Sequence, residues 1–297
     1  MGAEPTFPFQ SSIYYGQEAS YASDHAVTLA GTLYRFSDAV NVVRLESGDI
    51  NKKLRHIGDS RVTDYSLTLV DPKLHVEYVW QPHTGSTISD FVTRTLGDLN
   101  SFCIEFGASE DRTNHSVFQC EGCVCDTLNI AASQGENYII TQDFSVASVV
   151  TDTTATGTDP GAIGTDYAAF NRVGAITWGT GSYYVTKALN VTIANNLNNY
   201  WDVGSTSKKA CIPGAKDVTG SVDVSMDEGG AAHWHTVTSG TDIASIKFDA
   251  ACAASSYDVI TLNNVRFDST TIEENVSGEG AFDSVAFTAK DLTFGVS

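Results

Sequence analysis

The stretch VITLNNVRFDSTTIEENVSGEGAFDSVAFTA, residues 259–289, decides the class of the fold. Two runs of mostly alternating apolar and polar residues lie on either side of a polar centre that contains Gly278 and Gly280. Side chains of a β-strand alternate between the faces of a sheet, so this pattern predicts two half-buried antiparallel strands joined by a turn. An earlier stretch, CDTLNIAASQGENYIITQDFSVAS at 125–148, has the same plan.

The rest of the chain repeats in the same order around these two hairpins. The segment at 42–71 (VVRLESGDINKKLRHIGDSRVTDYSLTLVD) matches in pattern the segment at 189–227 (LNVTIANNLNNYWDVGSTSKKACIPGAKDVTGSVDVSMD). The short segment FCIEF at 102–106 likewise matches ASIKF at 244–248. Few residues are identical, so the match lies in the order of apolar strands, polar loops and turns. It predicts an internal duplication. The predicted parts are an arm at 1–30, a first domain at 31–150, a linker at 151–170 and a second domain at 171–297.

Local patterns predict strands throughout and one helix. The predicted strands are 39–46, 62–70, 74–80, 102–106, 118–131 and 137–150 in the first half, and 183–194, 218–226, 243–248, 257–267 and 281–292 in the second. The polar segments 48–60 and 195–213 are predicted loops. In the first half Ile88, Phe91, Val92, Leu96 and Leu99 recur at helical spacing after a Thr87/Asp90 capping pair, which predicts a short helix. A weaker helical turn is predicted at 231–237.

The first 30 residues carry aromatic side chains at irregular spacing, between Pro5 and Pro8 and beyond. A chain of this kind needs a surface on which to dock, either a neighbouring subunit or the protein's own surface. The aromatic residues are Phe7, Phe9, Tyr14, Tyr15 and Tyr21.

The chain is strongly acidic, with 36 acidic and 17 basic residues and a net charge of −19. A field of this sign repels nucleic acid and anionic membranes, so DNA binding is not expected. It favours solubility, a surface that must not hold DNA, or a halophilic source. Neither a secretory signal nor a membrane-spanning run is expected.

Cysteines and histidines offer only weak candidates for chemistry. Cys120, Cys123 and Cys125 form C-x-x-C-x-C, and Cys103 and His115 are the nearby candidates for the fourth ligand of a zinc site. A disulfide and reduced thiols in or near a core are the alternatives. His233 and His235 lack an evident third ligand, and no nucleophile elbow, phosphate-binding loop or facing carboxylate pair is present. We therefore predict no catalytic residue, no cofactor and no metal.

Basic residues gather at two equivalent places in this acidic chain. They lie either on exposed, solvated loops or on contact loops that meet an acidic face of another subunit. The cluster of the first half is Lys52, Lys53, Arg55 and Arg61, and that of the second half is Lys208, Lys209 and Lys216.

The segments 183–205, 211–229 and 259–289 together resemble the major tail tube protein of tailed bacterial and archaeal viruses with long, non-contractile tails. The shared features are a strand leading into an N-N-L loop, a V-x-G-S-x-x-V-like strand and a closing hairpin that ends in F-x-A. The resemblance implies a mainly β protein with two tandem β-sandwich or barrel domains, each with a short flanking helix. Strands of neighbouring subunits then join into one β-barrel, and rings stack into a tube.

The resemblance also sets expectations about assembly. Single-domain members form hexameric rings, so a duplicated chain implies a homotrimeric ring with pseudo-sixfold symmetry. The basic clusters become contacts between rings, and Glu46, Asp223 and Glu274 become candidates for an acidic channel wall. The expected partners are the chain itself, the tail terminator, the tape measure, the baseplate or tip, and double-stranded DNA that passes without specific binding.

The expected location is the virion tail, assembled in the host cytoplasm. A β-sandwich that binds a receptor or glycan is the alternative function, for which Trp178, Trp201 and Trp234 would serve. An enzyme is not expected.

Overall fold

A computed structural model shows a mainly β protein, as the sequence predicts. The structure describes residues 13–22, 25–54, 64–81, 88–95, 97–107, 117–152, 156–158, 160–163, 167–170, 176–178, 181–183, 186–225, 238–251, 257–274 and 281–296.

Among its described residues, the first half contains a short helix, α1 (His25–Leu29), a 3₁₀ turn at Ile88–Phe91, and strands β1 to β12. These strands are β1 (Tyr14–Gln17), β2 (Tyr34–Arg35), β3 (Val40–Glu46), β4 (Asp49–Leu54), β5 (Asp64–Val70), β6 (Lys73–Val79), β7 (Arg94–Thr95), β8 (Asp98–Leu99), β9 (Phe102–Gly107), β10 (Val117–Ser133), β11 (Ile139–Ser145) and β12 (Ser148–Asp152).

The second half contains strands β13 to β21. They are β13 (Ile176–Trp178), β14 (Gly181–Tyr183), β15 (Thr186–Ala194), β16 (Asn198–Trp201), β17 (Lys208–Ile212), β18 (Asp217–Ser225), β19 (Ile243–Ala251), β20 (Tyr257–Glu274) and β21 (Ala281–Val296).

One antiparallel sheet passes through both halves, in the order β14-β13-β19-β20-β21-β18-β15-β10-β11-β6-β3. Strand β10 is long enough for its two ends to belong to two different layers of the fold. Its first residues pair with β9 and β12, whereas its last residues pair with β11 and β15. The register shifts between Cys120 and Cys123 and again between Cys125 and Thr127. Such bulges bend a strand, and here they lie where β10 leaves one layer for the other.

The two halves of this sheet share one strand order. It is β2-β1-β9-β10-β11-β6-β3 in the first half and β14-β13-β19-β20-β21-β18-β15 in the second. Local irregularities recur at matching places. Gly122 on β10 and Asn264 on β20 have φ values of 60° and 51°. A bulge follows each of them, before Thr127 and before Ser269.

An aromatic cluster fills the core of the first half. The ring of Phe91 lies 4.6 Å from that of Phe102, 4.9 Å from that of Tyr15 and 5.6 Å from that of Phe36. Phe144 of β11 completes the cluster at 5.7 Å from Phe91. All five side chains are buried. The cluster therefore joins β1, β9, β11 and the 3₁₀ turn.

The predicted helix that included Ile88, Phe91, Val92 and Leu99 is wrong beyond its first turn. Only Ile88–Phe91 is helical, in a 3₁₀ turn, and the chain then forms the small hairpin β7–β8. Ile88, Phe91 and Val92 are buried within that single turn, and Gly97 takes a φ of 95° at the hairpin bend. Leu96 and the predicted helical turn at 231–237 lie outside the described residues.

The predicted polar loop at 195–213 contains a two-stranded hairpin, and the predicted loop at 48–60 contains β4, whose partner β5 lies in the predicted strand at 62–70. Strand β4 pairs with β5 in the first half, and β16 pairs with β17 in the second. The sequence pattern missed β4, β16 and β17 because polar residues such as Asn and Lys dominate them. Strands β16 and β17 bury few side chains, which leaves no strong alternation of apolar and polar residues.

The described part of the N-terminal segment docks on its own chain. Strand β1 pairs with β9 and β2, and Tyr14 and Tyr15 are buried there. Phe7 and Phe9 lie outside the described residues, so docking on a neighbouring subunit is untested for them. Across the described ranges, no helix has the length and apolar character needed to span a bilayer.

Candidate assembly surfaces

The large sheet has one face buried against the core and one face turned to solvent. On β6 the residues Leu74, Val76 and Tyr78 are buried, whereas His75 and Glu77 lie on the opposite face. The solvent face carries mixed charge. His75 Nδ1 lies 2.7 Å from an oxygen of Asp143.

All three predicted channel acids lie on strands of the large sheet. Glu46 ends β3 and is exposed, with an oxygen 3.2 Å from Nε of Arg44. Asp223 of β18 stands between Ala188 and Ser284 of the neighbouring strands. Glu274 ends β20, and its side chain is outside the described part of the structure.

Sequence reasoning missed Glu77, which occupies the place in the first half that Asp223 occupies in the second. Each follows the same register shift in the pairing of its strand. Glu77 pairs with Val42 next to the shift between Val40 and Val42. Asp223 pairs with Ala188 next to the shift between Thr186 and Ala188. The equivalence follows from the matching strand pairs β3–β6 and β15–β18. The sequence match instead pairs β18 with β5, the strand before β6.

The predicted basic clusters lie mainly on the hairpins rather than on loops. Lys52 and Lys53 are on β4, and Lys208 and Lys209 are on β17. Lys216 precedes β18, with Nζ 2.9 Å from an oxygen of Asp291. Arg55 and Arg61 lie outside the described residues.

Lys208 was expected to be an exposed group, either solvated or in contact with another subunit, and this expectation is wrong. Its side chain is fully buried, with Nζ 2.6 Å from Oδ1 of Asp71 and 2.5 Å from Oγ of Ser145. Because its charge is satisfied inside the chain, it is not available to another subunit. Lys209 is instead 69% exposed, 3.6 Å from Asp202.

The β16–β17 hairpin is fixed to the first half of the chain. Nε1 of Trp201 donates to the carbonyl of Val70 at 3.3 Å, and the amide of Val70 donates to the carbonyl of Thr206 at 3.0 Å. Nδ2 of Asn199 donates to Asp71 at 3.2 Å. The hairpin therefore links the second half of the chain to the first by side-chain and backbone hydrogen bonds.

The outer side of the same hairpin exposes apolar groups. Tyr200 is 52% exposed, Val203 is fully exposed and Ile212 is 46% exposed. Together with Val42 they are the large apolar side chains found exposed among the described residues. Apolar groups grouped on a projecting hairpin are typical of a contact surface.

A cleft of about 390 Å³ lies where β3, β6 and β11 meet the β16–β17 hairpin. Its charged groups are largely engaged with one another or with the backbone. Asp143 pairs with His75, Asp71 pairs with Lys208, and Asp126 accepts the amide of Leu197 at 3.0 Å. In the described part of the chain, no group of three or more His, Cys, Asp or Glu side chains is arranged to hold a metal ion.

Four cysteines lie in the core of the first half. Cys103, Cys120, Cys123 and Cys125 are fully buried and are not bridged in the structure. Sγ of Cys123 donates to the carbonyl of Cys120 at 3.3 Å. Burial raises the pKa of the Cys123 and Cys125 thiols well above the ordinary value, which favours the neutral thiol. Cys252, His115, His233 and His235 lie outside the described residues.

A buried carboxylate holds the N-terminal segment in place. Glu18 is 6% exposed, and its two oxygens accept the amides of Gly122 at 2.9 Å and Ala22 at 3.1 Å. Burial raises the pKa of Glu18, because the loss of hydration outweighs the hydrogen bonds that favour the carboxylate. Glu121 nearby raises the pKa further.

This raised pKa predicts a pH-dependent stability. A carboxyl group whose pKa is higher in the folded state contributes stability fully below its unfolded pKa, about 4.3, and loses it as the pH rises through the folded value. Glu18→Gln removes that loss. We expect the melting temperature of the variant, relative to the unmodified protein, to rise between about pH 4 and pH 7.

The matched control is Glu136→Gln, since Glu136 is an exposed turn residue. Its difference from the unmodified protein should stay constant over the same range. A constant difference for Glu18→Gln as well would contradict the assignment.

Among the edges of the large sheet that lack a partner strand in the described residues, two lie on β3 and β20. Strand β3 pairs only with β6, and it forms one end of the strand order. Strand β20 pairs with β19 along Tyr257–Val265, but its remaining residues pair only with β21. Open edges of this kind invite pairing with another chain.

Comparison with known protein families gives one match that spans nearly the whole chain. A family model described as "Phage tail tube protein" matches residues 9–289. No curated protein matches the chain.

Proposed function

The chain belongs to the phage tail tube protein family, and from this premise we propose that its copies close into rings that stack into the tube of a long, non-contractile tail. Family membership makes it a β-rich structural protein of the virion tail, which assembles with itself and with other tail proteins. The finer proposal concerns the ring, its channel and the passage of the genome through it.

The repeated strand order is the observation that carries the proposal. The two halves are side by side in one sheet, with β10 of the first paired to β15 of the second. We propose that each half is one tube unit and that the domain limits follow the predicted duplication. Three chains then supply six units, which gives a homotrimeric ring with pseudo-sixfold symmetry.

Negative-stain electron microscopy of the purified protein tests this directly. Stacked rings with a central channel, and three chains per ring by mass measurement, are expected. Dispersed particles at high concentration would count against the tube, and six chains per ring would count against the duplication. The rings are further proposed to assemble in the host cytoplasm and to join the terminator, tape measure and baseplate or tip proteins.

We propose that the solvent face of the large sheet lines the channel through which DNA passes. Glu77 and Asp223 occupy equivalent places, so three chains would present six carboxylates at one level. Glu46 contributes further negative charge, and Glu274 remains a candidate. Carboxylates repel phosphates and leave DNA without a site to which it adheres.

Replacing both Glu77 and Asp223 with lysine should convert the wall into a DNA-binding surface. Tubes of the double variant, assembled with short labelled duplex DNA, are expected to retain DNA at low salt. Several phosphate contacts would make retention fall by about 10³-fold between 50 and 200 mM salt. Co-sedimentation of DNA with the tubes measures it.

A variant with the same charge change elsewhere is the control. Asp98→Lys with Asp152→Lys alters two exposed acids on β8 and β12, strands that are paired with neither β6 nor β18. Equal DNA retention by the two double variants would show that total charge, rather than position, governs binding.

We propose that basic groups of the two hairpins contact an acidic face of another subunit between rings. Lys208 is excluded from the test because its reversal would disrupt the fold. Changing Lys52, Lys53 and Lys209 together to glutamate should reduce tube formation strongly. High salt should have the same effect on the unmodified tube, because it screens the charges. Sedimentation separates tubes from free rings. Lys247→Glu, an exposed reversal on β19, is the control, and normal stacking of the triple variant would refute the contact.

A further inference from the structure

We propose that the open edge of β20 pairs antiparallel with β3 of a second copy in one defined register, with Thr271 opposite Glu46 and Glu273 opposite Arg44. This inference rests on the proposed function, since it names the strands and residues that close the ring. It treats the junction between the two halves of one chain as the template for the junction between two chains.

The template is the pairing of β10 with β15. Residues Thr127 to Ser133 pair with Ala194 to Ala188, and Asn129 stands opposite Thr192. Nδ2 of Asn129 donates to Oγ1 of Thr192 at 2.8 Å and to Oδ1 of Asn190 at 3.0 Å. The two side chains of this cross-strand pair therefore lie on one face and in contact.

The bulges fix which residues of β20 correspond to β10. The register of β10 against β11 shifts between Cys125 and Thr127, and that of β20 against β21 shifts between Phe267 and Ser269. Thr127 therefore corresponds to Ser269, and Asn129 corresponds to Thr271. The positive φ values of Gly122 and Asn264 agree with the same spacing.

A second pair of shifts fixes β3 against β15. The register of β3 against β6 shifts between Val40 and Val42, and that of β15 against β18 shifts between Thr186 and Ala188. Thr192 then corresponds to Glu46. The neighbouring strands agree, because Glu46 pairs with Lys73 where Thr192 pairs with Thr219.

The two edges are available in the described structure. No described strand pairs with β3 on the side away from β6, nor with β20 beyond Val265 on the side away from β21. These are the places at which the template joins β10 to β15. Pairing them removes both edges at once, as closure of a sheet into a barrel does.

Exposure of the two central residues agrees with this register. Thr271 and Glu46 are both exposed in the single chain. A slip by one residue would reverse the faces of the edge strand.

Cysteine cross-linking tests the register. Thr271→Cys with Glu46→Cys in one chain should form disulfides between copies when assembled tubes are oxidised, because Cα atoms of directly opposed strand residues lie about 4.5–5.5 Å apart. Denaturing gels without reductant should show dimers and closed trimers. The two single variants mixed together should give dimers only, and the unmodified chain should give neither.

A shifted pair, Thr271→Cys with Val42→Cys, controls for chance collision, because Val42 is exposed on the same face of β3 as Glu46 and lies four residues away in register. Tubes that form without a disulfide at 46/271 would overturn the proposed pairing while leaving the tube function intact. Equal cross-linking of both pairs would also overturn the register. If the unmodified protein forms no rings, the proposed function itself fails.

Discussion

Replacing Asp71 with alanine is expected to lower the free energy of unfolding by about 3–5 kcal/mol, the usual cost of removing one partner of a buried ion pair. The Lys208 side chain has no solvent exposure, and the variant would leave it the Ser145 hydroxyl as its one partner among the contacts that the described structure shows. Nδ2 of Asn199 would lose its acceptor as well. Urea unfolding of the non-assembled chain, followed by circular dichroism, measures the loss.

A double variant separates the ion pair from simple loss of packing. Asp71→Ala with Lys208→Met removes both charges, and an apolar replacement of a buried pair is often nearly neutral. The double variant should therefore be more stable than Asp71→Ala alone. Lys209→Met, an exposed change on the same strand, should stay within about 0.5 kcal/mol of the unmodified protein. A double variant no more stable than the single variant would contradict the buried-charge explanation.

Phe91→Ala should cost about 3–5 kcal/mol, since it opens a cavity at the centre of the aromatic cluster. Phe91 is 1% exposed and contacts the rings of Tyr15, Phe36, Phe102 and Phe144. The loss should also loosen β1, because Tyr15 packs on this ring. Thermal unfolding gives the stability, and amide exchange at Tyr14–Gln17 reports the local loosening.

Two control variants separate the effect of the cavity from the loss of any aromatic side chain. Phe91→Leu fills part of the space and should lose less stability than Phe91→Ala. Tyr200→Ala removes an aromatic side chain that is half exposed and should change folding little. Equal losses for Phe91→Ala and Tyr200→Ala would mean that the cluster does not stabilise the core.

The sequence predicts those strands of the large sheet that alternate between a buried and a solvent face, whereas it misses the short strands β1, β2, β13 and β14. The runs at Leu74–Tyr78 and Val218–Val224 show this alternation directly. It does not predict that Ile88, Phe91 and Val92 are all buried by one 3₁₀ turn. A spacing of three residues suits either a longer helix or such a turn, and tertiary packing decides between them.

The candidate assembly surface was less predictable than the fold. Lys208 and Lys209 are adjacent and identical, yet one is buried and the other exposed. The burial of Lys208 depends on Asp71, a residue far away in the sequence, so local pattern gives no sign of it. The equivalence of Glu77 and Asp223 likewise became visible only through the strand pairing.

The in-chain pairing of β10 with β15 has a consequence for the kinetics of tube growth. In the proposed ring of three chains, three of the six junctions between units would exist before any two chains meet. Linkage in one chain replaces a bimolecular encounter with a unimolecular one at high effective concentration. A duplicated subunit therefore needs fewer collisions per ring than a single-unit subunit does, and it should nucleate at a lower protein concentration.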